Sequence, residues 1–314
     1  MWDMITEFEK KAYDDLIAHY WNPSRGNFSF SKNEKVSSPS ITTACIMAIK
    51  GYGAEGEKWI KKNRGKIKDY YLTDYPWMDA GKHYQNVMAM SFGLIGLDIL
   101  EAQNKKIKLE CINFLKEQQN EDGGWSFTKM YSENSHPYFT YWALKALIAN
   151  EIVDETWENH ILPALEYCLG TIRSHATHPT TYLMIRHIIK IIQESFHVFI
   201  DEKLEKRIKN IPIYKIERHQ YQTGAWKPEP AVINSAYFRK SIFSLKNMYF
   251  LSQLDERLVS DKYQKMLNWI EKNYLNPGWP SDSEASSIGV SWTTAYILMG
   301  LTSYKNALKL YLED

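Results

Sequence analysis

Gln118-Gln119-Asn120-Glu121-Asp122-Gly123-Gly124-Trp125-Ser126-Phe127 lies between two apolar segments, Phe114-Leu115 before it and Tyr138 to Leu147 after it. The paired glycines permit a crowded or left-handed turn that side chains would forbid. The indole beyond them is too large to leave in water, so it is expected to fold back onto the preceding helix. The stretch reads as helix, glycine turn, loop, helix. Whether the chain repeats that unit decides the fold.

It does repeat. Gly26-Asn27-Phe28-Ser29-Phe30 agrees with Gly123-Gly124-Trp125-Ser126-Phe127 at the glycine, the aromatic position, the serine and the final phenylalanine. Gly224-Ala225-Trp226 and Gly278-Trp279 return to the same theme, and Asp74-Tyr75-Pro76-Trp77 is a version without glycine. The marker aromatics are spaced 49, 48, 101 and 53 residues apart, so one unit, near Arg173 to His175, has lost its marker. After each marker an x-Pro step or its equivalent opens an apolar, small-residue helix. Proline suits a first helical turn, where its missing N–H is not needed. The expected inner helices are Thr42 to Ile49, Asn86 to Leu97, Thr140 to Leu147, Thr180 to Ile192, Asn234 to Leu245 and Thr293 to Leu301. Gly93 and Ala143 are among the small residues expected to let neighbouring helices approach. More polar, amphipathic helices alternate with them, including Lys105 to Lys116, Trp157 to Leu169 and Tyr263 to Lys272. The ends of the chain are apolar (Tyr13, Leu16, Leu308, Leu312), which favours closure over an open solenoid with polar caps. The expectation is an all-α, (α/α)6 toroid: six helical hairpins around a central cavity, in a single domain over 1–314.

Composition narrows the function classes. At 44% hydrophobic and 24% charged residues the chain is globular, with ample material for a core. A net charge of +1 gives no whole-chain field to recruit nucleic acid, so none is expected. The three cysteines (Cys45, Cys111, Cys168) have no metal-ligand spacing and read as buried apolar residues in a reducing compartment. No apolar run is long enough to span a membrane and no signal peptide is apparent, so a cytoplasmic protein is expected.

Phe114-Leu115-x3-Gln119-x3-Gly123-x-Trp125 resembles the QW motif of squalene–hopene and other class II terpene cyclases. It also resembles the wider superfamily that includes protein prenyltransferases. The sixth unit carries a degenerate copy, Trp269-Ile270-x3-Tyr274-x3-Gly278-Trp279, with tyrosine in place of glutamine. The resemblance implies the α/α toroid and a structural clamp between outer helices. It would imply an acid in Asp-x-Asp-Asp just before the threonine of an inner helix. Aligned on Thr140, that slot reads His136-Pro137-Tyr138-Phe139, and no Asp-x-Asp-Asp occurs elsewhere. The magnesium-binding Asp-Asp-x-x-Asp of class I cyclases is also absent. No cysteine follows an aspartate by two residues as in the zinc prenyltransferases (Thr43, Leu109 and Glu166 stand there). Neither metal nor cofactor is therefore expected.

The candidates for chemistry are acids and bases at the mouth formed by the starts of the inner helices. His136 and His178 occupy equivalent steps before proline, either as acid/base groups or simply as helix starts. Asp79 precedes His83 and Tyr84, and burial near aromatics would raise its pKa; the alternative is a solvated loop carboxylate. Glu229, between Pro228 and Pro230, is either aimed inward or a polar residue on a stiff turn. Asp79, His136 and Glu229 are the catalytic candidates. His83, Tyr138, Trp142, His178, Tyr182, Tyr237 and Trp292 are the substrate-binding ones, since aromatic rings suit an isoprenoid chain or a carbocation, while also serving as ordinary core. The basic runs Lys58 to Lys68 and Lys203 to Arg218 read as solvated faces that can meet an acidic partner or anionic lipid. Ile188 to Phe199 reads as an inner helix or a peripheral membrane contact.

The leading expectation is an enzyme or binding protein for an isoprenoid or other apolar small molecule, with a non-standard acid. A non-catalytic toroid binding lipid or protein, and a carbohydrate-active toroid using paired carboxylates such as Asp74, Asp282 or Glu284, stand beside it.

Overall fold

The computed structural model describes residues 2–33, 36–78, 85–129, 134–150, 157–173, 189, 261–280 and 289–313. Asp79, His83, His178, Tyr182, Glu229, Tyr237, Asp282 and Glu284 lie outside the described residues, as do nearly all of the fourth and fifth units.

The chain divides into two compact units. One gathers Met1–Ser37, Ile41–Tyr70 and Tyr214–Asp314; the other gathers Ser38–Ser40 and Tyr71–Ile213.

The second unit holds the opening stretch. Its elements are α4 (Val87–Ile99), α5 (Lys105–Glu117), α6 (Pro137–Asn150), a π-helical turn (Trp157–Ile161) and α7 (Leu162–Arg173). The expected alternation is plain here. Helix α4 buries every residue from Val87 to Leu97, whereas α5 buries Ile107, Cys111, Ile112 and Leu115 along one stripe. Asn86 and Asn104 cap α4 and α5, their side chains accepting from the Ala89 and Ile107 amides at 3.0 and 3.1 Å. The helix expected from Trp157 instead begins with the π turn, and α-helical geometry starts at Leu162, where Pro163 falls in the first turn. At Gly93 the nearest neighbour is the Trp77 ring: a Cβ there would stand 2.0 Å from Trp77 Cε3.

The first unit contains α1 (Trp2–Asp15) and a π-helical turn (Leu16–Tyr20) leading into the β1 (Trp21–Asn22) and β2 (Asn27–Phe28) hairpin. It also contains most of α2 (Pro39–Gly51), most of α3 (Ala54–Thr73) and α8 (Asp261–Lys272). The β3 (Trp279–Pro280) and β4 (Gly289–Val290) pair and α9 (Ser291–Glu313) complete it. Helix α9 runs past the expected Leu301 because its apolar pattern continues through buried Tyr304 and Leu308. It packs along α1, with Glu9 accepting from the Thr302 hydroxyl at 2.8 Å and from Lys305 Nζ at 2.6 Å. The Gly278 amide donates to Asp15 Oδ2 at 2.7 Å, and Tyr20 donates to the Pro277 carbonyl at 3.1 Å. The first and sixth units are therefore joined, as the apolar chain ends led one to expect.

No described helix is long and apolar enough to cross a membrane.

Candidate functional site

The opening stretch folds as a clamp. Its turn closes through Gly123 N to the Asn120 carbonyl and Asn120 N to the Gly124 carbonyl, each at 2.9 Å. Gly123 has φ +88°, and a Cβ on it would stand 2.3 Å from the Pro163 carbonyl oxygen, so only glycine fits. Gln119 Nε2 donates to the Gly123 and His160 carbonyls at 2.7 and 2.9 Å, and Gln119 Oε1 meets His160 Nδ1 at 2.6 Å. One amide thus ties the end of α5 to the turn before α7. The Trp125 indole is wholly buried and donates to the Leu115 carbonyl at 2.7 Å, satisfying a helix-end acceptor. Trp77 does the same to Tyr71 O at 2.9 Å, and Trp279 to Ile270 O at 2.6 Å.

A second hydrogen bond fixes the register of the inner helices. The amides of three of the marker aromatics donate to threonine hydroxyls: Phe28 to Thr42 at 3.2 Å, Trp125 to Thr140 at 3.0 Å and Trp279 to Thr294 at 3.4 Å. Thr140 and Thr294 in turn donate to the carbonyls of His136 and Val290, four residues back, at 3.1 and 2.9 Å. The equivalent of Thr140 in the sixth unit is therefore Thr294, one residue later than the sequence alignment placed it. In this register an aromatic pair flanks the threonine in both helices. Tyr138 and Trp142 flank Thr140 with centroids 6.4 Å apart, and Trp292 and Tyr296 flank Thr294 at 5.1 Å.

His136 occupies the slot where the acid was sought. It is the N-cap of α6: its Nδ1 accepts the Tyr138 amide at 3.1 Å, while Pro137 fills the first helical position. An accepting Nδ1 carries no proton, so the ring proton sits on Nε2. The ring packs edge-on to Phe139 at 5.8 Å, and Phe139 in turn meets Phe127 at 5.6 Å.

Trp142 is 1% exposed. Phe92 of α4 lies against it at 4.3 Å, Tyr141 at 4.8 Å, and Lys145 Nζ sits 5.3 Å from its centroid. The structure thus brings His136, Tyr138 and Trp142 together at the start of α6. Half-buried Trp292 stands at the same register of α9, in the other compact unit. Sequence reading missed Phe92 and Phe139 because both sit inside apolar runs where an aromatic reads as core. Phe127 belonged to the quoted stretch and was legible.

Asp15 was also missed. It is 6% exposed, and burial pushes its carboxyl above the usual range, opposed by the Gly278 amide, the Tyr274 hydroxyl and His19. Asp74, by contrast, is exposed. The three cysteines are free and buried; burial pushes Cys111 up to about 12 and Cys45 and Cys168 up as well. Among the described residues no group of three or more His, Cys, Asp or Glu side chains can hold a metal ion.

No protein-family model matches the chain, and no curated protein does. Solved structures do. The type II terpene cyclase MstE from Scytonema matches with a TM-score of 0.62 at 10% identity over 98% of this chain and 99% of that one. A variant of that enzyme in complex with its substrate, geranylgeranyl dihydroxybenzoate, matches at 0.61 with 10% identity over 98% and 99%. The GH76A α-1,6-mannanase from Salegentibacter sp. HEL1_6 matches at 0.64 with 10% identity over 96% and 99%. At this identity the likeness speaks for architecture alone, and it shows an α/α toroid along almost the whole chain.

Proposed function

We propose that the protein binds an isoprenoid or other apolar substrate at the starts of its inner helices and lacks the acid that terpene cyclases use there. One observation carries the reading. In α6 and α9 the register-fixing threonine is flanked by an aromatic pair, while the first three turns of α2, α4, α6 and α9 contain no Asp or Glu. In each helix, an aromatic pair with no carboxylate in the first three turns favours a hydrocarbon chain and can stabilise a cation formed on it. The similarity to MstE, which holds a geranylgeranyl compound, supports the same reading. In it, Asp79, His136 and Glu229 are the candidates for the catalytic group.

The mannanase similarity supplies the competing reading, that of a carbohydrate-active toroid. A variant of that enzyme with two aspartates replaced by alanine is inactive. No equivalent pair stands at the start of any described inner helix.

Incubation with geranylgeranyl diphosphate, geranylgeraniol and squalene, followed by thermal shift and product extraction, tests the reading. The expected result is a rise in melting temperature with the polyenes, reduced by Trp142→Leu. A rise with α-1,6-mannotetraose and none with any polyene would overturn it. Turnover unaltered in both Asp79→Asn and Glu229→Gln would remove those residues as acids.

A further inference from the structure

Trp77, Trp125, Trp142 and Trp279 are all fully buried. Trp77, Trp125 and Trp279 each donate the indole N–H to a carbonyl near the end of the preceding helix. Trp142 does not. Its Nε1 has no hydrogen-bond partner among the described residues. A buried indole N–H usually finds an acceptor, because a stripped donor loses water and gains nothing in return.

One helical turn further along α6 stands Lys145, the single charged residue of that helix. It is half-buried. Helical side chains lean toward the helix start, so its ammonium reaches back over the rings three and four residues before it. Nζ lies 5.3 Å from the Trp142 centroid and 5.8 Å from that of Tyr141. The described helices packed against α6 are α4, α5 and α7, and their acidic residues are Asp98, Glu110, Glu117 and Glu166. All four are exposed, and among the described residues none forms an ion pair with Lys145. The rings attract the ammonium but bring no net negative charge to neutralise it.

We propose that Trp142 Nε1 and Lys145 Nζ receive the carboxylate of an isoprenoid acid. Both groups donate and neither accepts, so their partner has to bring oxygen acceptors. A carboxylate has two oxygens, one for each donor, and a single charge to match the single ammonium. A diphosphate carries more negative charge than one ammonium offsets. An alcohol or a hydrocarbon leaves the half-buried charge without compensation. The inference rests on the proposed function, in which an isoprenoid chain lies along the aromatic start of α6, and it names the head group of that chain.

Equilibrium binding of geranylgeranoic acid, geranylgeraniol and geranylgeranyl diphosphate to the full chain at neutral pH tests it. The acid is expected to bind at least about tenfold more tightly than the alcohol, the equivalent of one hydrogen bond to a charged group. Lys145→Met, similar in length but uncharged, is expected to remove that preference, and Lys145→Arg is expected to keep it. Lys105→Met, at an exposed position of α5, is the control and is expected to keep it too. Equal binding of acid and alcohol overturns the inference and leaves the proposed function standing. So does a preference for the acid that survives in Lys145→Met. Tighter binding of the diphosphate than of the acid overturns the choice of a carboxylate. If Lys145→Met lowers the melting temperature of the ligand-free protein and leaves the acid-to-alcohol ratio unchanged, Lys145 is a structural partner of the two rings and the inference falls. Binding of none of the three compounds overturns the inference and the proposed function together.

Discussion

Asp15 Oδ2 accepts the Gly278 amide at 2.7 Å, joining the end of the first helix to the glycine turn of the sixth unit. Tyr274 stands in that unit where the third unit has Gln119, and a carboxylate from another part of the chain contacts the turn. The clamp is kept while its chemistry changes.

Asp15→Asn retains an acceptor for Gly278 and removes a buried charge. Because burial raises the Asp15 pKa in the folded state, its contribution is fully present below the unfolded carboxylate pKa and is lost as pH rises through the folded one. The Asn variant is therefore expected to match the wild type in acid and to melt higher as pH rises toward neutrality. Asp15→Ala, which strands the amide, is expected to cost about 1–3 kcal/mol. Thermal melts across pH check both.

Gly93→Ala drives a Cβ into the Trp77 ring. A loss of about 1–3 kcal/mol is expected from overpacking, and Trp77→Leu in the same chain is expected to recover part of it. A double-mutant cycle by denaturant unfolding measures that coupling. Additive losses would mean that the contact is not what Gly93 serves.

Replacing Gln119 with leucine removes two donated bonds and the contact to His160. Stability is expected to fall by about 1–3 kcal/mol, since two part-buried carbonyls lose their donors. Hydrogen exchange is expected to quicken first in the turn before α7. Trp125→Phe, which loses the bond to the Leu115 carbonyl and leaves a cavity where the larger ring stood, is expected to destabilise as well.

His136→Asn preserves an N-cap acceptor and is expected to stay within about 0.5 kcal/mol of the wild type, while His136→Ala is expected to lose about 1 kcal/mol. If both fall equally, the cap is not the stabilising role of this ring.

Cys45, Cys111 and Cys168 are expected to resist a thiol reagent at mildly alkaline pH in the native protein and to react at once in denaturant. Burial both blocks access and disfavours the thiolate.

Most of the architecture could be read from the chain, because the Gly-x-aromatic turn recurs, and among the described residues Gly26, Gly123 and Gly278 all take the left-handed conformation before a buried aromatic. Alternation of buried and half-exposed helices was equally legible: α4 is apolar throughout, whereas α5 is apolar only along a stripe. The exact register was not. Thr293 and Thr294 are chemically identical in the sequence, and only the bond from the Trp279 amide separates them. Roles of polar residues were harder still. Asp15 looked like one more charge at a helix end, since nothing local records that its partner lies 263 residues away. His136 was found by position, but its tautomer follows from a backbone amide that no spacing rule exposes.

The packing of α1 along α9 has a consequence for synthesis. Ile5, Phe8, Ala12 and Leu16 are buried in the folded protein, and Glu9 meets Thr302 and Lys305 only after 293 further residues have been made. At about 5–20 residues per second, this first apolar face waits roughly 15–60 s for its partner. During that interval the nascent chain offers an uncovered helix to whatever else is in reach. A ribosome-associated chaperone, or slowed growth at low temperature, is thus expected to decide the yield of soluble protein more strongly than any change at the clamps.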